Sequence, residues 1–189
     1  MRNFKMLTML CAVLLVLGTV SSATALPITP ATGALNTTRW EGTTPQNPNA
    51  GDIATIVGFS PLFELYKNDV GAADTGPFAP YYSTSFTNTP TDPEDATITW
   101  GGGAIFMSGT PLYLLVKDGA SATPAWYIFN LTGLGWDGKQ TLELTDFWPS
   151  QGAISHVSIY GPSVVPEPLT LLLLGLGLVG VAGISRFRK

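Results

Sequence analysis

Cysteine is nearly absent from this 189-residue chain, and the one present, Cys11, lies in an apolar N-terminal stretch. Beyond that stretch there is no thiol, which excludes disulfides, cysteine nucleophiles and zinc–thiolate centres from the body. Histidine is equally scarce. His156 stands alone, too few imidazoles for a histidine metal site. Positive charge is the third shortage. Of nine basic residues, Arg2, Lys5, Arg186, Arg188 and Lys189 sit at the termini, and only Arg39, Lys67, Lys117 and Lys139 lie between. Against all thirteen acids those four leave residues 26–168 at −9, compared with −4 for the whole chain. Such a body repels nucleic acid and anionic surfaces, so neither is an expected partner.

What is present divides the chain. Arg2 and Lys5 precede an apolar segment, 6–20, and a small-residue stretch ending Ala23-Thr24-Ala25. This charged, apolar and small-residue order predicts a secretory signal peptide over 1–25, with Ala23 and Ala25 marking cleavage after Ala25. Residues 26–52 are rich in Pro, Thr, Asn and Gly and read as an extended entry segment.

From residue 53 to 163 short apolar and β-branched runs alternate with Gly and Pro breakers. Strands are expected at 53–59, 62–67, 81–86, 96–100, 104–107, 112–117, 125–131, 141–144 and 154–160. Ile98 and Trp100 flank Thr99, and Leu142 and Leu144 flank Glu143, the alternation of a half-buried strand. Residues 126–131 are apolar on both faces apart from Asn130, as a strand buried on two sides would be. The predicted fold is all-β, a β-sandwich or jelly-roll-like single domain.

No catalytic set emerges. Ser155 and Ser158 lie near His156, but neighbours on a strand point to opposite faces and no Gly-x-Ser-x-Gly elbow is present. Asp92, Glu94 and Asp95 in a proline-flanked loop are the candidates for calcium, a hard ion that takes oxygen ligands, though their spacing is not that of an EF-hand. No other cofactor is indicated. Trp136 and Trp148 lie beside Gly and Pro in loop contexts, where an indole face can stack on a sugar ring. A carbohydrate-binding module, calcium-assisted or not, is therefore one alternative, and a paired-carboxylate glycoside-processing enzyme another.

The C-terminus is the most specific part. Val165, Pro166, Glu167 and Pro168 precede sixteen uncharged residues, 169–184, and a basic stub, 185–189, that carries Arg186, Arg188 and Lys189. As a helix the apolar run spans about 24 Å, short of a hydrocarbon core of roughly 30 Å. The basic cluster holds the terminus in the cytoplasm. Pro166 and Pro168 keep the chain around Glu167 extended, a form that a membrane-embedded peptidase can grip.

These three parts together resemble the PEP-CTERM protein-sorting domain of Gram-negative bacteria, here covering residues 164–189 with a transmembrane helix at 169–184. The resemblance implies recognition by an exosortase, brief residence in the inner membrane, and delivery to the cell surface or extracellular matrix. It also implies association with exopolysaccharide or biofilm and a structural or adhesive, non-catalytic role. Segments 112–118, 124–127 and 151–156 are similar to a recurring substrate type of that system, which adds no catalytic residues.

Overall fold

The computed structural model describes residues 24–89, 92–103, 110–119, 122–149 and 152–162. Among them the elements run β1 (Leu26–Ile28), β2 (Arg39–Gly42), α1 (Ala50–Val57), β3 (Phe63–Asp69), β4 (Tyr82–Phe86), β5 (Ala96–Trp100), β6 (Tyr113–Asp118), β7 (Trp126–Asn130), β8 (Leu142–Leu144) and β9 (Ile154–Gly161). The strands form two sheets, ordered β1-β8-β5-β4 and β2-β7-β6-β9-β3. Pairing is antiparallel except for β1 with β8, which run parallel from Leu26↔Leu142 to Ile28↔Leu144. The expectation of an all-β, two-sheet domain therefore stands, with one short helix added. The expected signal segment up to Ala23, the strand at 104–107 and the apolar run 169–184 lie outside the described residues. No helix among the described residues is long and apolar enough to cross a membrane.

Alternation sets the layers. Ile98, Leu142 and Leu144 of one sheet and Leu114, Val116, Phe129, Val157 and Ile159 of the other share a single hydrophobic core. Their neighbours in sequence point the opposite way. On the outer face of the five-stranded sheet Tyr113, Leu115, Trp126, Ile128 and Tyr160 form a second cluster with Ile53 and Leu62. That sheet is thus covered on both faces, which accounts for the unbroken apolar run in β7. At about 25 cal/mol per Å² of apolar surface removed from water, both clusters help to hold a domain without thiols.

The covering element corrects one expectation. Residues 53–59 do not form a strand, because the chain from Ala50 to Val57 is helical. Asn49 Oδ1 accepts hydrogen bonds from the amides of Gly51 and Asp52, while Asp52 Oδ2 accepts from the amide of Asn49. This reciprocal box satisfies amide donors at the helix start. Gly58, at φ +70°, ends the helix in the left-handed conformation that glycine adopts without a Cβ clash. Ile53, Ile56 and Val57 share one face at spacings of three and four, and two turns are too short for that period to stand out in the sequence. Asn49→Ala is expected to cost about 1 kcal/mol of stability, measured as a shift in urea midpoint at unchanged slope.

Both ends of the described chain leave the same end of the sandwich. Leu26 N donates to Thr141 O, Trp136 Nε1 donates to Gln140 O, Trp136 N to Leu131 O, and Leu131 N to Leu112 O. Leu112 in turn lies against Gly161, the last residue of β9. The opposite end gathers the other termini of these strands: Thr145 N bonds Ile28 O, and Ile154 N bonds Pro93 O.

Candidate functional site

β9 runs between β6 and β3 and is paired on both sides up to Tyr160 and Gly161. The segment that follows is therefore joined to a central strand of the larger sheet. Val165, Pro166, Glu167, Pro168, Arg186, Arg188 and Lys189 lie outside the described residues, as does Ala23. Ala25 immediately precedes β1, whose first residue is held by its bond to Thr141. Cleavage after Ala25 would leave a new terminus already pinned to the domain.

The two tryptophans expected to offer ring faces do not. Trp136 is 6% exposed and Trp148 7% exposed, and both belong to the core between the sheets. Trp136 Nε1 donates to Gln140 O at 2.7 Å, and Trp148 Nε1 donates to Pro124 O at 2.7 Å. Trp148 packs on Tyr127 with ring centroids 5.4 Å apart and on Phe147 at 5.7 Å. Gly and Pro around them mark turns, but the turns bend inward, so each indole is anchored at its N–H and buried by its rings.

The loop acids are engaged in the fold. Asp95 Oδ1 accepts from Asp146 N at 3.0 Å, and Glu94 O accepts from Phe147 N at 3.1 Å. These bonds tie the segment before β5 to the turn after β8, and Asp92 is exposed beside them. Among the described residues no group of three or more His, Asp or Glu side chains converges on a metal-sized space. Asp74 accepts from Tyr66 Oη, from Asn68 Nδ2 at 2.8 Å and from Thr84 N at 3.3 Å, bridging β3 to β4. Burial first, then the Asp74 carboxylate, raises the Tyr66 hydroxyl far above the usual phenol range.

Asp118 is a residue that sequence reasoning missed. It is 1% exposed; Oδ2 accepts from Ala122 N at 2.8 Å and Oδ1 from Ala153 N at 2.9 Å. Its one sequence signal was the Asp118-Gly119 turn pair, which marks a bend but not a buried acceptor. Gly152, at φ +106°, lies so close that a Cβ there would sit 2.5 Å from Asp118 Oδ1, so a side chain cannot be accommodated.

His156 lies on the outer face of the larger sheet, opposite Asp69 on β3 and Lys117 on β6. Asp69 Oδ1 stands 3.6 Å from His156 Nδ1. Ser155 Oγ comes within 3.4 Å of the same nitrogen, although simple alternation places the two residues on opposite faces. A nucleophilic triad needs the orienting carboxylate on one ring nitrogen and the hydroxyl on the other. Here both neighbours meet Nδ1, so the arrangement relays no proton from serine to carboxylate. Lys67 Nζ pairs with Asp69 Oδ2 at 3.0 Å, and the buried Lys117 Nζ donates to Asp118 O at 2.6 Å. Burial, then the Lys67 ammonium, push His156 down to about 4; Asp69 opposes that shift and Lys117 adds to it. The imidazole is neutral at pH 7.

Residues 164–189 match the PEP-CTERM protein-sorting motif. No curated protein matches the chain, and neither does any solved structure. Residues 164–189 thus carry a PEP-CTERM sorting signal, and that signal implies an exosortase-sorted extracellular protein with membrane transit before surface release.

Proposed function

We propose that the β-sandwich is a structural or adhesive, non-catalytic domain that works at the cell surface or in the extracellular matrix in association with exopolysaccharide. The observation that carries this reading is the sorting motif at residues 164–189, which follows directly on a folded strand pair. The geometry of His156, with serine and carboxylate on one nitrogen, supports a domain without nucleophilic chemistry.

The outer face of the four-stranded sheet supports the contact with polysaccharide. Ser83 lies opposite Thr99, Ser85 opposite Thr97, and Thr97 opposite Glu143. Ser83, Ser85, Thr99 and Glu143 are exposed and Thr97 is half-buried. These hydroxyls stand on strands spaced about 4.8 Å apart and can both donate to and accept from sugar hydroxyls. Trp136 and Trp148 take no part in this reading, since their rings are covered.

Two measurements test the proposal. The Pro166→Ala, Pro168→Ala chain is expected to stay in the membrane fraction at unprocessed mass, while the parent chain is released. Co-sedimentation with the producer's own polysaccharide is expected for the parent and lost several-fold in a Ser85→Glu, Thr99→Glu variant. Release of the double proline variant at the parent's mass would overturn the sorting part. Undiminished co-sedimentation of the glutamate variant would overturn the adhesive face.

A further inference from the structure

We infer that, while the tail is in the membrane, the end of the sandwich from which the chain leaves rests on the bilayer surface, and the acidic remainder of the domain points away from it. Three independent features meet at this end. The first is connectivity. β1 begins there and β9 finishes there, so both ends of the described chain stand on one side of the domain. Six residues, 163–168, separate Pro162 from the apolar run beginning at Leu169. Fully extended, that link reaches about 20 Å, so the domain cannot move far from the lipid surface while the run is embedded.

The second feature is apolar exposure. Among the described residues two large hydrophobic side chains stand out to solvent, Leu35 at 48% and Phe63 at 47%. Phe63 is the first residue of β3, opposite Gly161. Leu35 bridges to Arg39, the first residue of β2. β2 and β3 are the two edges of the larger sheet, so these side chains occupy two corners of the same end. Single exposed apolar residues are ordinary on soluble domains; two that both fall at the end where the described chain starts and finishes have a common explanation.

The third feature is charge. Arg39 and Lys139 belong to this end, with Glu64 opposite Tyr160 and Asp137 in the turn between β7 and β8. Glu41, 3.7 Å from Arg39, and Glu143, opposite Pro27 of β1, lie there too, so this end carries −2. Lys67 and Lys117 against the eight other acids leave the rest of the described domain at −6. An anionic leaflet repels the larger charge more strongly, which orients the domain without any specific contact. The depth expected is shallow, with the two side chains reaching the headgroup region.

Cysteine scarcity makes the test direct. The full chain with Cys11→Ser is given a single cysteine at Leu35, Phe63 or, as control, Ser85 on the open face of the smaller sheet. Each is labelled with an environment-sensitive fluorophore and reconstituted into phosphatidylcholine–phosphatidylglycerol vesicles that carry a nitroxide in the headgroup region. Labels at Leu35→Cys and Phe63→Cys are expected to be blue-shifted and quenched several-fold more than the label at Ser85→Cys. Equal quenching at the three positions, or none at Leu35→Cys and Phe63→Cys, would overturn the inference. Either outcome leaves the polysaccharide reading untouched, since that rests on the released protein.

Discussion

Replacing Trp148 with alanine is expected to lower the unfolding free energy by about 3–5 kcal/mol, and Trp136→Ala by a similar amount. The loss has two parts. The first is the transfer energy of a ring removed from the core, together with the cavity it leaves. Trp148 is packed against Tyr127 and Phe147, and Trp136 lies 6.1 Å from the Tyr82 ring. The second is the carbonyl left behind, that of Pro124 or Gln140, which loses the indole N–H that bonds it. Trp148 also sits at φ +53°, and alanine there keeps the left-handed strain without the packing that holds it. Urea denaturation followed by far-ultraviolet circular dichroism measures the effect. If the rings served a sugar instead, both variants would keep the parent's midpoint and lose only affinity.

A pH dependence centred on His156 is the second large effect. The folded imidazole is held at about 4 against an ordinary value of 6.5. The native state therefore binds fewer protons than the unfolded chain between these values, and stability falls as pH falls. Stability is full above pH 6.5 and declines towards pH 4, by about 3 kcal/mol in all for this one group. About 2 kcal/mol of that is gone by pH 5, above the range in which ordinary carboxylates titrate. The groups that face the ring are Lys67, Asp69 and Lys117. His156→Gln is expected to flatten the profile between pH 7 and pH 5 while changing stability at pH 7 much less. Unfolding free energies at pH 7, 6 and 5 for both chains check it; parallel profiles would sink the assignment to His156.

Much of the architecture was legible because strands buried on one face advertise themselves residue by residue. β5 and β8 alternate as Ile98-Thr99-Trp100 and Leu142-Glu143-Leu144, and both lie in the sheet with that alternation intact. β7 announced burial on two sides. What covered its outer side was not legible, since the helix is only eight residues long and its apolar positions Ile53, Ile56 and Val57 also fit a short strand. The decisive signal was the Asn49–Asp52 cap, a feature of two side chains rather than of a period.

The candidate site divides along the same line. The sorting signal is a linear code of proline-bracketed carboxylate, apolar run and basic stub, and it needs no fold to be recognised. The tryptophans were misplaced because turn residues report that the chain bends, not to which side. Gly138 at φ +83° and Trp148 itself at φ +53° lie in such bends, and both indoles are in the core.

The amino-acid order alone therefore determined that the chain carries a sorting signal. Composition and pattern also determined the class of its body: acidic, without thiols and built of strands. Only the tertiary structure decided which polar and aromatic residues are spent on the fold. Long-range pairing buries Asp118, Trp136 and Trp148 and half-buries the His156 ring, and it gathers both ends of the described chain at one apolar-studded end. Contacts of that kind depend on register and on the packing of two sheets, which no local run of residues encodes.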